Sequence, residues 1–153
     1  MARWIESWLP HSPAGSDDDG HPGERFGLPA TGPNSVAGTG ARIAGLVVDW
    51  LLAYVLVVAF LGTGAIGAPQ TGWTVLLVWF VITTIAVALF GMTPGHVLLG
   101  LRVARTDMAA FVGVPRAALR TLLIACVFPP VFRDDDGRGW HDQAARTIVI
   151  RTR

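Results

Sequence analysis

Residues 43–61 read IAGLVVDWLLAYVLVVAFL, apolar along the whole stretch except for Asp49. The hydrocarbon core of a bilayer takes about 20 such residues as a helix, so this run is long enough to cross one. A carboxylate at that depth costs about 2.5–3.5 kcal/mol on insertion scales, so Asp49 needs a partner and a reason. Arg42 stands seven residues earlier. That spacing is almost two helical turns, which puts both side chains on one face about 10 Å apart along the axis. The two are too far apart for direct contact but well placed to share a polar seam.

A second apolar run, 73–90 (WTVLLVWFVITTIAVALF), opens on Trp73, as a residue anchored at the headgroup level should. Its mid-helix Thr83 and Thr84 can bond back to the preceding turn or across to the helix of Asp49. The intervening 62–72, GTGAIGAPQTG, carries no charge. Helices over 41–61 and 73–90 therefore form a hairpin. Arginine orients it: Arg3, Arg25 and Arg42 precede it and Arg102, Arg105, Arg116 and Arg120 follow it. The positive-inside rule then puts both ends of the hairpin in the cytoplasm and the turn outside.

A third apolar segment, 117–132 (AALRTLLIACVFPPVF), is short, carries Arg120 and contains Pro129 and Pro130. A full crossing would carry Arg133, Arg138, Arg146, Arg151 and Arg153 outside, against the rule, so a re-entrant or interfacial helix is expected. Two β-branched stretches, 99–104 (LGLRVA) and 147–150 (TIVI), can pair as a small cytoplasmic ribbon. The expected fold class is an all-α membrane protein: two transmembrane helices in a hairpin, a third short membrane segment and this strand pair.

Composition agrees. Of 153 residues, 52% are apolar and the net charge is +1, which gives no electrostatic footprint for nucleic acid. All the basic side chains are arginine, a bias suggesting a high-GC bacterial genome. The lone Cys126 lies in an apolar stretch and reads as a small buried hydrophobe. Residues 1–40 form a Gly/Pro-rich arm read as extended and flexible, with Trp4, Ile5, Trp8 and Leu9 giving its start a tryptophan-bearing edge. No signal peptide is expected, so the first long apolar run should remain as an anchor.

The remaining motifs carry little catalytic chemistry. Thr93-Pro94-Gly95 reads as a turn that starts a new segment. DDDG occurs from Asp17 and from Asp134 without calcium-loop spacing. His141 and Asp142 are adjacent, and Asp142 is better suited to clamp an arginine such as Arg102 or Arg105 than to catalyse. No nucleophile–base pair, zinc-protease motif or phosphate loop accompanies them, so neither an enzyme nor a cofactor or metal is expected. Gly45, Ala53 and Ala59 leave room for close helix contact.

Three patches together resemble the RDD family of bacterial membrane proteins. They are RIAGLVVD with Arg42 and Asp49, GMTPGHVLLGLRV over 91–103, and GWHDQAARTIVI over 139–150. The resemblance covers 41–153 and implies Arg42, Asp49 and Asp142 as the arginine and two aspartates of the family's name. The family's pattern has glutamine where Met92 stands, lysine where His96 stands and glycine where Arg146 stands. Its molecular role is largely unassigned, transport has been proposed, and some members are described as cation/proton antiporters. The resemblance implies a multi-pass protein of the bacterial inner membrane with a cytoplasmic N-terminus. Its polar seam would be Arg42, Asp49 and Asp142, with Arg102, Arg116, Arg120 and His141 as possible partners. Asp49 is then either a structural ion pair or a proton or cation site. Besides the lipid bilayer, the expected partners are further copies of the chain or a larger membrane complex. Two roles stay open: oligomeric transport of an ion or small ligand, or a non-transporting accessory or assembly subunit.

Overall fold

The computed structural model describes residues 20–107, 109, 111–126 and 139–153. The tryptophan-bearing start of the arm and the Pro129-Pro130 part of the third segment lie outside them. Besides two single-turn 3-10 helices (Glu24–Phe26 and Thr63–Ala65), the described residues form, in order, α1 (Thr39–Leu61), α2 (Thr71–Phe90), α3 (Pro94–Leu99), β1 (Leu101–Arg105), α4 (Val114–Ala125), α5 (Trp140–Ala144) and β2 (Thr147–Arg151).

The two long helices arise where apolar runs meet no breaker. Gly62 ends α1 by donating its N–H to Val58. Gly91 ends α2 with φ 67°, the left-handed conformation that glycine reaches without steric cost. Both helices are long and apolar enough to cross a membrane by length and composition. At 1.5 Å per residue they span about 34 and 30 Å, against a hydrocarbon core of about 30 Å. Trp73, in the first turn of α2, is 76% exposed. The uncharged turn is tied by Thr71, whose hydroxyl donates to the Ala65 carbonyl at 2.6 Å.

The side chains of α1 that turn inward are Gly45, Asp49, Ala53 and Val57, one every four residues. Ala53 and Val57 pack with Val75 and Trp79 of α2 in one apolar cluster, joined by Ile124 of α4. A second cluster joins Val87 and Ala88 of α2 to Leu101, Val103, Val149 and Ala117. Ala59 is exposed and takes no part. Cys126, expected in the core, is also exposed, because the inward face of α4 is set by Ala117, Arg120 and Thr121.

The strand pair forms antiparallel with Val103 opposite Val149. Its first strand begins at Leu101, two residues later than expected, because 94–99 is helical: Thr93 caps α3, Pro94 opens it, and Gly100 closes it at φ 63°. On the far side of β2 the end of the arm joins the sheet. Val36 bridges Ile150, and the Asn34 and Ala37 N–H groups donate to Arg151 and Val149. The arm expected over 1–40 thus gives its last residues to the fold.

Arg146 turns the chain into β2 at φ 51°, a conformation L-residues other than Asn and Asp rarely hold. Its carbonyl accepts from the N–H of Thr106 at 3.1 Å, which fixes that turn against the end of β1. Arg146→Gly is expected to stabilise the fold by about 0.5–1 kcal/mol, with relief of left-handed strain exceeding the added chain entropy. Thermal unfolding in detergent reads this as an upward shift of about 2 °C, and a lower melting temperature would contradict it.

Candidate functional site

Each of the three longer helices carries a polar layer between the two apolar clusters. On α1 this layer is Gly45 and Asp49, on α2 Thr83 and Thr84, and on α4 Arg120 and Thr121, all buried. A cavity of about 70 Å³ lies among them. Arg42, Asp49, Trp79, Thr83, His96 and Arg120 are among the residues that line it. A space of this size holds several waters or one small solute.

Asp142 is the centre of charge. Its side chain is 0% exposed, and one carboxylate oxygen takes Arg42 at 3.0 Å while the other pairs with Arg120. Thr147 Oγ1 lies 3.4 Å from the same carboxylate, and His141 Nε2 is 3.5 Å away. Two guanidiniums thus share one buried anion, each through a single nitrogen on a separate oxygen, so charge-assisted contacts on both oxygens offset the cost of desolvation. Arg42 turns inward to Asp142 rather than out to a headgroup layer.

Asp49 meets hydrogen-bond donors rather than the arginine of an ion pair. It forms no ion pair among the described residues. Its Oδ2 accepts from Thr93 Oγ1 at 2.5 Å, and its Oδ1 accepts from the Gly95 N–H at 2.7 Å. A carboxylate on α1 therefore caps the start of α3, satisfying a donor that a helix leaves free in its first turn. Seven residues of separation hold it away from Arg42, while the Thr93-Pro94-Gly95 turn brings two donors to it.

Gly95 allows this contact. A Cβ there would collide with the Gly45 carbonyl oxygen and lie 3.0 Å from Asp49 Oδ1. The two glycines let α3 cross α1 with backbone against backbone. His96 completes a capping box: its backbone N–H donates to Thr93 Oγ1 at 3.1 Å, and its Nδ1 accepts from the Thr93 N–H at 3.4 Å. With Nδ1 accepting, the neutral ring carries its proton on Nε2.

Burial holds His96 far below its ordinary range, at about 3, helped by the Arg120 and then the Arg42 guanidinium. The folded state therefore resists a proton that the unfolded chain accepts below pH 6.5. Stability contributed by neutral His96 is complete above pH 6.5 and is lost as pH falls toward 3. The slope approaches about 1.4 kcal/mol per pH unit for one proton. His96→Gln is expected to flatten this difference in unfolding measured between pH 7 and pH 4.5. An unchanged slope would remove His96 as its source.

Of the expected partners, Arg120 and His141 reach Asp142, whereas Arg102 and Arg116 do not. Arg102 alternates to the exposed face of β1, opposite the buried Leu101 and Val103. Arg116 lies at the surface 3.4 Å from Asp107. Arg105, the other arginine expected to meet Asp142, also binds Asp107 and holds that carboxyl down at about 2. Among the described residues, Thr84 neither back-bonds nor crosses to α1, and its hydroxyl and the Trp79 Nε1–H are buried without a hydrogen-bond partner. Thr93-Pro94-Gly95, expected as a turn that starts a new segment, opens α3, and sequence reasoning missed the part that Thr93, Gly95 and His96 play at the site. Among the described residues, no group of His, Cys, Asp and Glu could hold a metal ion.

Compared with family models, curated proteins and solved structures, the chain finds no match.

Proposed function

We propose that this chain is an integral membrane protein of RDD type that, as an oligomer, moves an ion or small solute through its polar layer. The observation that carries the proposal is the ion cluster of half-buried Arg42 with buried Asp142 and Arg120 beside a cavity, set inside helices whose outer faces are apolar. Ile43, Val47, Leu51 and Val55 on α1 and Leu77, Val81, Ile85 and Leu89 on α2 are all exposed. A water-soluble protein rarely leaves such long apolar stripes uncovered, whereas lipid covers them at no cost. Ionisable residues turned inward at membrane depth are the usual mark of a solute or proton path.

Three features support the finer reading. Arg42 and Asp142, two of the three residues implied by the RDD resemblance, are in contact, and Asp49 lines the same cavity. The sheet joins segments that precede α1, follow α2 and follow α4. If α1 and α2 cross, the chain between β1 and β2 must start and end on one side. At about 18 Å, α4 is itself too short to span, consistent with a re-entrant or interfacial helix. The arginine distribution favours the cytoplasm for that side.

The test is proton and sodium flux in proteoliposomes, wild type beside Asp49→Asn. Flux that disappears in the variant, at equal abundance and oligomeric state, supports transport. The absence of flux from intact wild-type oligomers would overturn it. The second reading, an accessory or assembly subunit, is favoured by the close pairing of Asp49 with α3, a structural use of that carboxylate. Under it, Asp49→Asn releases a co-purifying membrane partner instead.

A further inference from the structure

We infer that the cavity between α1, α2 and α4 binds a small oxyanion, a carboxylate or phosphate group, rather than a metal cation. This rests on the membrane reading for its way in, and not on transport. The argument is one of hydrogen-bond accounting.

The two carboxylates that line or adjoin the cavity are already engaged by the protein. Asp49 spends one oxygen on Thr93 and the other on Gly95. Asp142 spends one on Arg42 and the other on Arg120. A cation entering here would have to compete with two guanidiniums for Asp142 and break the cap on α3 to reach Asp49. Donors also line the cavity, and the Trp79 indole has no partner among the described residues. Trp79, 2% exposed and lining the cavity, has no partner for its Nε1–H. His96 keeps its Nε2–H because Nδ1 is committed to Thr93. Arg42 and Arg120 bring two positive charges to Asp142, while the Asp49 carboxylate, which also lines the cavity, is turned to Thr93 and Gly95. The field of these guanidiniums also acts on His96, where it opposes protonation. A buried donor without an acceptor is costly, and a ligand oxygen removes that cost.

The rest of the lining is apolar: Ile43, Leu46, Val87 and Ile124. That wall suits an oxyanion with a short aliphatic body, or a lipid phosphate whose chains stay outside. Both present the same oxygens to the same donors, and the experiment distinguishes them.

The test follows the indole ¹⁵N–H signal of Trp79, identified by its loss in Trp79→Phe, with the full chain in nanodiscs. Failure of the chain to enter nanodiscs would reject the membrane reading and is separable from a failure to bind. In phosphatidylcholine discs, sodium butyrate is titrated against sodium chloride at equal ionic strength. A saturable shift with butyrate and not with chloride is expected. In discs containing phosphatidylglycerol, a shift already present without butyrate identifies the lipid phosphate as occupant, and an unshifted signal that still answers butyrate identifies a free carboxylate. Calorimetry with butyrate on Trp79→Phe, a variant that keeps the ring in the core, is expected to show about tenfold weaker binding. The inference is overturned by an unmoved signal in both lipids with butyrate present, or by a response to sodium that does not depend on the anion.

Discussion

Gly95→Ala is expected to destabilise the protein by about 3 kcal/mol or more, while Gly45→Ala at the same crossing costs under about 1 kcal/mol. The asymmetry follows from what each added methyl group meets. At Gly95 it would collide with the Gly45 carbonyl oxygen and come within 2.9 Å of the carbonyl carbon, which are backbone atoms of a long helix. At Gly45 its nearest neighbour is His96 Cδ2 at 3.4 Å, an ordinary van der Waals contact that asks nothing to move. Relief at Gly95 requires α3 to back away from α1. That movement pulls the Gly95 N–H from Asp49 and draws Thr93 with it, leaving a buried carboxylate without either donor. Thermal unfolding of the two variants in one detergent measures the contrast. Equal, small losses would mean that α3 is not held against α1 in this register.

Asp142→Asn is expected to cost about 3–5 kcal/mol, because removing one partner of a buried ion pair leaves the other charges uncompensated. Asparagine keeps the shape of the side chain but presents an amide where Arg42 and Arg120 need an anion. The two guanidiniums, brought together by Asp142, then repel one another in a poorly solvated layer. A double-mutant cycle isolates this effect: Arg42→Gln alone should also destabilise, yet added to Asp142→Asn it should restore part of the loss. A coupling of about 1 kcal/mol or more is expected between positions 42 and 142. Strict additivity would show that the contact contributes nothing.

Substantial parts of the fold were legible in the residues. Unbroken apolar runs bounded by Gly62 and Gly91 marked both long helices to within about two residues, since helix length depends on where the chain meets a breaker. The β-branched run at 147–150 announced β2, and the 99–104 stretch announced β1 with its start misplaced. That error has a local cause: Leu99 is apolar in either setting, and the Thr93 cap with Gly100 closing one short turn outweighs strand preference. The end of the arm was illegible because Asn34, Val36 and Ala37 join the sheet through main-chain groups, which every residue type shares.

The site was half legible. Arg42 and Asp49 stood out because charged residues beside or within apolar runs demand partners, and Asp142 through the resemblance, but Arg102 and Arg105, expected as partners for Asp142, lie elsewhere. Helical spacing put Arg42 and Asp49 on one face without direct contact, and the partner of Arg42 is Asp142, one hundred positions away. Asp49 instead finds Thr93 and a backbone N–H, a donor that no residue name reveals.

By itself, the sequence determined the length and apolarity of two helices, the arginine-poor turn between them and the need to bury a few charges. These are properties of local runs, carried by neighbouring side chains. Only the tertiary structure decided which charges meet, because α4 and α5 deliver Arg120 and Asp142 to a point set by packing against α2. It also decided that α3 lies backbone to backbone on α1, since that contact depends on the absence of two Cβ atoms fifty residues apart meeting in one place.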